Sequence, residues 1–281
     1  MPFLDRIRRA TRPLAILGCI SIGTVYVLVG TLALLALSGR FQGNADEERM
    51  VHLAMDVAGG AVVVWGIVAG LAGYVAWRIM EVVTDPQEFG NDWKGILHRA
   101  GIGASALAYG AVAWSIAAIA ITTNDPGGGG NREASEQSQQ MLIGQVLEWP
   151  AGAWLVGAAG VAVIVVGVLQ FVLLARRGYT TEIALDGRST AARRVIHALA
   201  WYGYAARGVI LCVLGYFLVR GAMTHDPSQV GDTDTAFDFI GGGAVGDTAF
   251  FVVAVGTIAY GLFMYANARY YHFGGAEPRR V

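Results

Sequence analysis

Six apolar stretches, each long enough to cross a bilayer, take up most of the chain and fall into three consecutive pairs that look like copies of one two-helix unit. They are expected at Pro13–Leu37, Val57–Met80, Ala100–Ile121, Ala151–Ala175, Ala198–Val219 and Thr248–Ala266. A helix needs about 20 apolar residues to cross about 30 Å of hydrocarbon, and all six reach that length. A soluble core would not need 55% hydrophobic residues, 15% charged residues and a mean hydropathy of +0.50. The sequence therefore specifies an all-α integral membrane protein.

The first stretch follows Arg6, Arg8, Arg9 and Arg12, as a signal peptide would. Its apolar run exceeds the roughly 7–15 residues of a cleaved segment, so it is expected to stay as a span. Phe3, Leu4 and Ile7 alternate with these arginines, a pattern suited to contact with anionic lipid. Of the 20 Lys and Arg, 15 fall in the two tails and the loops after the second and fourth spans, four fall on the other face, and Arg207 lies inside a span. Short loops rich in Lys and Arg stay cytoplasmic, which places both termini inside and the protein in a plasma membrane. Nineteen Arg against one Lys suggests a GC-rich bacterial source.

Shifting the first span by 185 residues lays Gly18, Gly23 and Gly30 on Gly203, Gly208 and Gly215. Shifting it by 87 gives Ser105, Gly110 and Ala117 in the third span. Glycine in a helix costs about 1 kcal/mol against alanine, so its retention asks for a reason. In lipid that reason is close helix approach along a small-residue stripe. Gly66 and Gly70 form a G-x-x-x-G in the second span, and Gly70 with Tyr74 aligns with Gly256 and Tyr260 at a shift of 186. The organisation expected is a tail at 1–12, repeats at 13–95, 96–180 and 193–273, and a tail at 274–281. Each repeat has two spans, so all three enter from one side and are parallel, giving a pseudo-threefold six-helix bundle.

AARGV at Ala205 to Val209, Pro150-Ala151-Gly152 opening the fourth span, and the closing ARY at Ala268 to Tyr270 add to this layout. With them the chain resembles the bacterial membrane proteins of domain-of-unknown-function family 1206, over about Pro13 to Phe273. The resemblance implies three tandem two-helix modules and no particular activity. Its Arg-Gly step occurs once here, with Ile22 and Tyr109 where repeats one and two would carry the equivalent of Arg207. Pro-x-Gly is replaced by Ala58 to Gly60 and by Ala244 to Gly246 in repeats one and three.

Arg207 is the candidate functional residue, since an arginine within a span is costly and needs a use. The structural alternative is snorkelling toward cytoplasmic head groups past Trp201 and Tyr204. Asp56, Glu148 and Asp247 begin the even spans on the outer side, where they complement helix dipoles or ring an outer vestibule. His98 and His197 share the opposite face, and ordinary interfacial hydrogen bonding is the expectation for both. Gly127 to Gly130 lack the Lys and Ser/Thr of a phosphate loop and read as linker. Phe237, Phe239 and Ile240 suit a short segment on the outer surface or between helices.

Cys19 and Cys212 lie inside spans, and no spacing suggests a metal, a haem or a disulfide, so no cofactor is expected. No nucleophile, base and orienting acid meet in a motif, so no enzyme is expected either. A net charge of −1 gives no reason to expect nucleic acid. What remains is a membrane module that binds lipid or a membrane-protein partner, with a small transporter or channel along the repeat axis as the alternative. Nothing in the sequence fixes the oligomeric state.

Overall fold

The computed structural model describes residues 2–38, 51, 55, 59–84, 92–123, 144–176, 189–230, 233–242 and 246–270. Six long helices carry the spans: α1 (Pro2–Leu37), α2 (Gly60–Thr84), α3 (Trp93–Thr123), α4 (Gly152–Ala175), α5 (Thr190–Thr224) and α7 (Gly246–Tyr270). Between the last two lie a 3₁₀ turn at Pro227–Gln229 and the short α6 (Thr233–Gly241). Helix is the form lipid demands of such sequences, because it satisfies every backbone group within the segment. All six are long and apolar enough to span a membrane, and no strand occurs among the described residues.

The long helices form an open ring in the order α3, α2, α1, α7, α5, α4, each packed on the next. Most of the glycine stripes lie in these contacts. A Cβ at Gly203 would come within 2.6 Å of the Tyr260 backbone, and Gly18 is closed in the same way by Tyr74. Thus the α1/α2 and α5/α7 pairs repeat one interlock, glycine against tyrosine. Between repeats, a Cβ at Gly23 would meet the Gly261 carbonyl at 2.8 Å, one at Gly30 the side chain of Ile258 at 2.8 Å, one at Gly208 the ring of Phe171 at 2.9 Å and one at Gly215 the side chain of Ile164 at 2.6 Å. Gly70 leaves no room beside Ser21.

Gly66 is a correction. It is exposed, with nothing within 4 Å of a Cβ built there, so the expected G-x-x-x-G is half a packing motif. The face of α2 that meets α1 and α3 runs through Gly70, Tyr74 and Trp77, and Gly66 points to lipid. Gly110 packs loosely, its nearest neighbour being Val75 at 3.9 Å, and Ala117 is half-buried.

The ring is open because α3 and α4, consecutive helices of repeat two, part instead of packing. Aligning Gly152 with Gly60 and Gly246 puts Val166 where the other repeats have Tyr74 and Tyr260, while Ser105 replaces Gly18 and Gly203. Repeat two has therefore lost both halves of the interlock. Ala108 and Ala162, equivalent to the Ser21–Gly70 contact, are both exposed, and Val166 is 43% exposed. Helix α4 packs chiefly on α5, where Gly160 meets Gly215, Leu218 and Val219 and Gly167 meets Gly208 and Cys212, while Gly152 closes on Val146 and Leu147 ahead of the helix. Helix α7 is the most enclosed span.

At the end of α5, His225 adopts a left-handed conformation (φ 54°) and its amide donates to the Gly221 carbonyl. Asp226 then accepts from the Ser228 amide (2.9 Å) and hydroxyl (2.7 Å), starting the 3₁₀ turn. Those bonds hold its carboxyl below the usual range. The chain continues into α6, which lies across α5 and α7. Phe237 is fully buried with its ring 5.0 Å from Phe250, while Phe239 stays half-exposed beside Tyr216 and Phe217.

Candidate functional site

On the repeat axis, α1, α2, α3, α5 and α7 enclose a cavity of about 100 Å³. Its walls follow the repeat. Ile22, Tyr109 and Arg207 are equivalent positions, as are Val25, Val112 and Ile210, and all six line it. Leu71 and Thr257, equivalent on α2 and α7, line it too. Their counterpart on α4, Val163, does not. The cavity thus occupies the space that a fully packed second repeat would close.

Arg207 turns inward to this space. Its Nη1 donates to the Tyr260 hydroxyl, and its guanidinium lies over the Tyr260 ring at 4.9 Å and beside Tyr26 and Tyr109, at 5.9 Å each. Trp201, the residue past which snorkelling would run, is half-exposed on the outer surface, and Tyr204 packs edge-on to Tyr260. The snorkelling alternative is therefore corrected: the side chain goes to the axis. The small Ala206–Gly208 flank lets α7 and α4 approach on either side, and i+3 spacing from Tyr204 leaves Arg207 with the inward face.

A cation so placed asks for a counter-charge. Three tyrosine rings offer the negative faces of their π-systems, worth about 2 kcal/mol or more each when desolvated. Among the described residues no carboxylate pairs with Arg207, and its buried Nε has no acceptor. The pocket holds a guanidinium against an otherwise apolar wall in which only tyrosine and threonine hydroxyls are polar. Chemically, that arrangement offers a hydrogen-bonding cation to an oxyanion.

A second arginine enters the account. Counting Arg78 with the loop after the second span left Arg207 as the one charge within a span, but Arg78 lies inside Val57–Met80 itself, and the helix continues to Thr84 and adds Glu81. Arg78 Nη1 pairs with Glu81 at 2.8 Å, and its Nε donates to the Tyr74 hydroxyl at 2.9 Å. Tyr74 and Tyr260, at equivalent positions, each hold one arginine, but among the described residues Arg78 has a carboxylate and Arg207 has none.

Other expected site residues lie elsewhere. Asp247 is exposed in the first turn of α7 and Glu148 is exposed ahead of α4, neither near the cavity. Asp56, the side chain of His98 and the Gly127–Gly130 run lie outside the described residues. Cys19 is buried, and the half-buried Cys212 packs against Gly167. Tyr26 and Tyr260 were not singled out as site residues by sequence, although Tyr260 stood in the alignment with Tyr74.

The six-span, three-repeat architecture and its axial pocket define a class of polytopic membrane protein. The chain belongs to the family described as Domain of Unknown Function (DUF1206), whose pattern matches at residues 17–85, 100–177 and 202–271. It is similar to the Uncharacterized protein YxxB of Bacillus subtilis (strain 168), with 27% identity over 274 residues and 96% of each chain covered. No solved structure matches it.

Proposed function

We propose that this protein is a non-enzymatic binding module of the bacterial plasma membrane, with both termini cytoplasmic, that accepts a lipidic ligand at the axial cavity and serves a membrane complex. The observation that carries the reading is Arg207, a cation kept at the centre of the bundle beside open volume and without a carboxylate partner among the described residues. Burying an unpaired charge is costly, and a protein with only a structural need at this position has cheaper choices, as Ile22 and Tyr109 illustrate in the sister repeats. The charge asymmetry of the loops supports the orientation.

The position of the cavity on the repeat axis also favours a second reading, a small transporter whose path runs along that axis. One preparation separates the two. The full-length protein is purified from native membranes in mild detergent, its retained lipids and proteins are identified, and a portion is placed in liposomes. A stoichiometric lipid or partner with no solute flux is the expected result. Proton, ion or solute flux with nothing retained overturns the module and leaves the transporter.

A further inference from the structure

We infer that the Arg207 cavity is an oxyanion site for the head of a single-chain amphiphile, a carboxylate or phosphate, whose apolar chain lies in the seam between α3 and α4. The inference rests on the binding-module reading and names its ligand class. Three independent features converge on it.

The first is the unused donor. Nη1 of Arg207 is committed to Tyr260, while Nε is buried without an acceptor. The guanidinium is a rigid fork suited to two-oxygen acceptors, and in an apolar surround an anion is the group it lacks. Tyr109 and Tyr26 present their rings to the guanidinium, and the carboxylate of Glu81 is paired with Arg78.

The second is size. About 100 Å³ is smaller than the ~150 Å³ cavity that takes benzene, so the space suits a head group and not a hydrocarbon tail. A tail must lie outside the cavity. A head group carrying two chains would need to bring both to the same depth, which leaves a single-chain molecule as the better fit.

The third is the way in. The cavity walls come from five helices, and the sixth, α4, stands off. Leu107 and Ala108 on α3 and Ala162 and Val166 on α4 are exposed apolar residues of two helices that do not pack closely on each other. A seam between two such helices would give lateral access from lipid and an apolar surface matched to an acyl or prenyl chain. The head at Arg207 would be about nine residues, or about 14 Å, along α5 from the expected cytoplasmic end of its span. That depth is reachable sideways from the bilayer and remote from bulk water. The same oxyanion chemistry could be supplied by a free carboxylate or inorganic phosphate, and the experiment distinguishes the sources.

The test uses the full-length protein in phosphatidylcholine nanodiscs with a photoreactive fatty acid whose diazirine sits near the carboxylate. Cross-linked peptides are located by mass spectrometry. Adducts are expected on α3 and α5 around Tyr109 and Ile210 to Leu214. Arg207→Gln should reduce labelling about tenfold or more, and Tyr109→Trp, which fills the cavity and keeps the arginine, should do the same. Both variants are first checked for wild-type elution and melting, and Arg207→Met replaces Arg207→Gln if the latter does not fold.

Displacement of the probe by oleate or a prenyl phosphate, and not by acetate or inorganic phosphate, identifies the amphiphile. Displacement by acetate or inorganic phosphate at similar concentration overturns the amphiphile. Equal labelling of the wild type and the folded Arg207 variant, or labelling away from α3 and α5, overturns the site. In that case a lipid retained during purification still supports the binding module, so the two claims fail separately.

Discussion

At the scale of the residue, the environment of Arg207 makes opposite predictions for two substitutions that remove the same hydrogen bond. Tyr260→Phe leaves a buried guanidinium without its hydroxyl and should cost about 1–3 kcal/mol. Arg207→Met removes charge and desolvation together and should be neutral or stabilising by about 1–4 kcal/mol, because an apolar side chain of similar length suits the same walls. Thermal unfolding of both variants in one detergent checks the pair. A strong loss of stability in Arg207→Met would make the arginine a structural strut and remove the case for a ligand. The arginine was legible in the sequence because Ile22 and Tyr109 disagree with it at matched positions. Its ring of tyrosines was not, since Tyr26, Tyr109 and Tyr260 come from three helices and only tertiary packing brings them to one cation.

At the scale of the element, packing decides which small residues matter. Gly215→Leu would drive a side chain into Ile164 and the Gly160 carbonyl, and overpacking of this kind costs about 1–3 kcal/mol. Gly66→Leu meets only lipid and should leave the melting temperature in detergent within about a degree or two of the wild type, or raise it through higher helix propensity. Spacing alone gives both glycines the same standing, because a helix stripe names a face without saying where the neighbouring helix stands. Outside the membrane, the turn after α5 adds a pH dependence. Asp226 titrates below its ordinary value, so the stability it contributes is complete above the unfolded value of about 3.9 and disappears as pH falls through the folded value. Asp226→Asn should therefore flatten the acid side of the melting curve against pH in that range. Its wild-type slope persisting unchanged in the variant would assign the effect to another group.

At the scale of the whole molecule, the three repeats were readable and the break in their ring was not. The substitution of Ser105 for glycine was visible, but its partner position in the diverged fourth span becomes clear only once Val166 is seen on the outer face where Tyr74 and Tyr260 sit inside. Restoring both halves of the interlock with Ser105→Gly and Val166→Tyr should draw α4 onto α3. Spin labels at the exposed positions 107 and 165 would then show a shorter distance than in the wild type. An unchanged distance would mean that the lost interlock does not hold the seam open.

The layer of Ile22, Tyr109 and Arg207 also bears on why the three units are joined in one chain. Three identical two-helix subunits around the same axis would have to place three guanidiniums together, and like charges a few ångströms apart in a medium of low dielectric repel strongly. Tandem fusion removes that constraint. One unit can keep the cation, a second can step aside to leave volume beside it, and the third can supply an inert wall, which is a division of labour that no assembly of equal copies can reach.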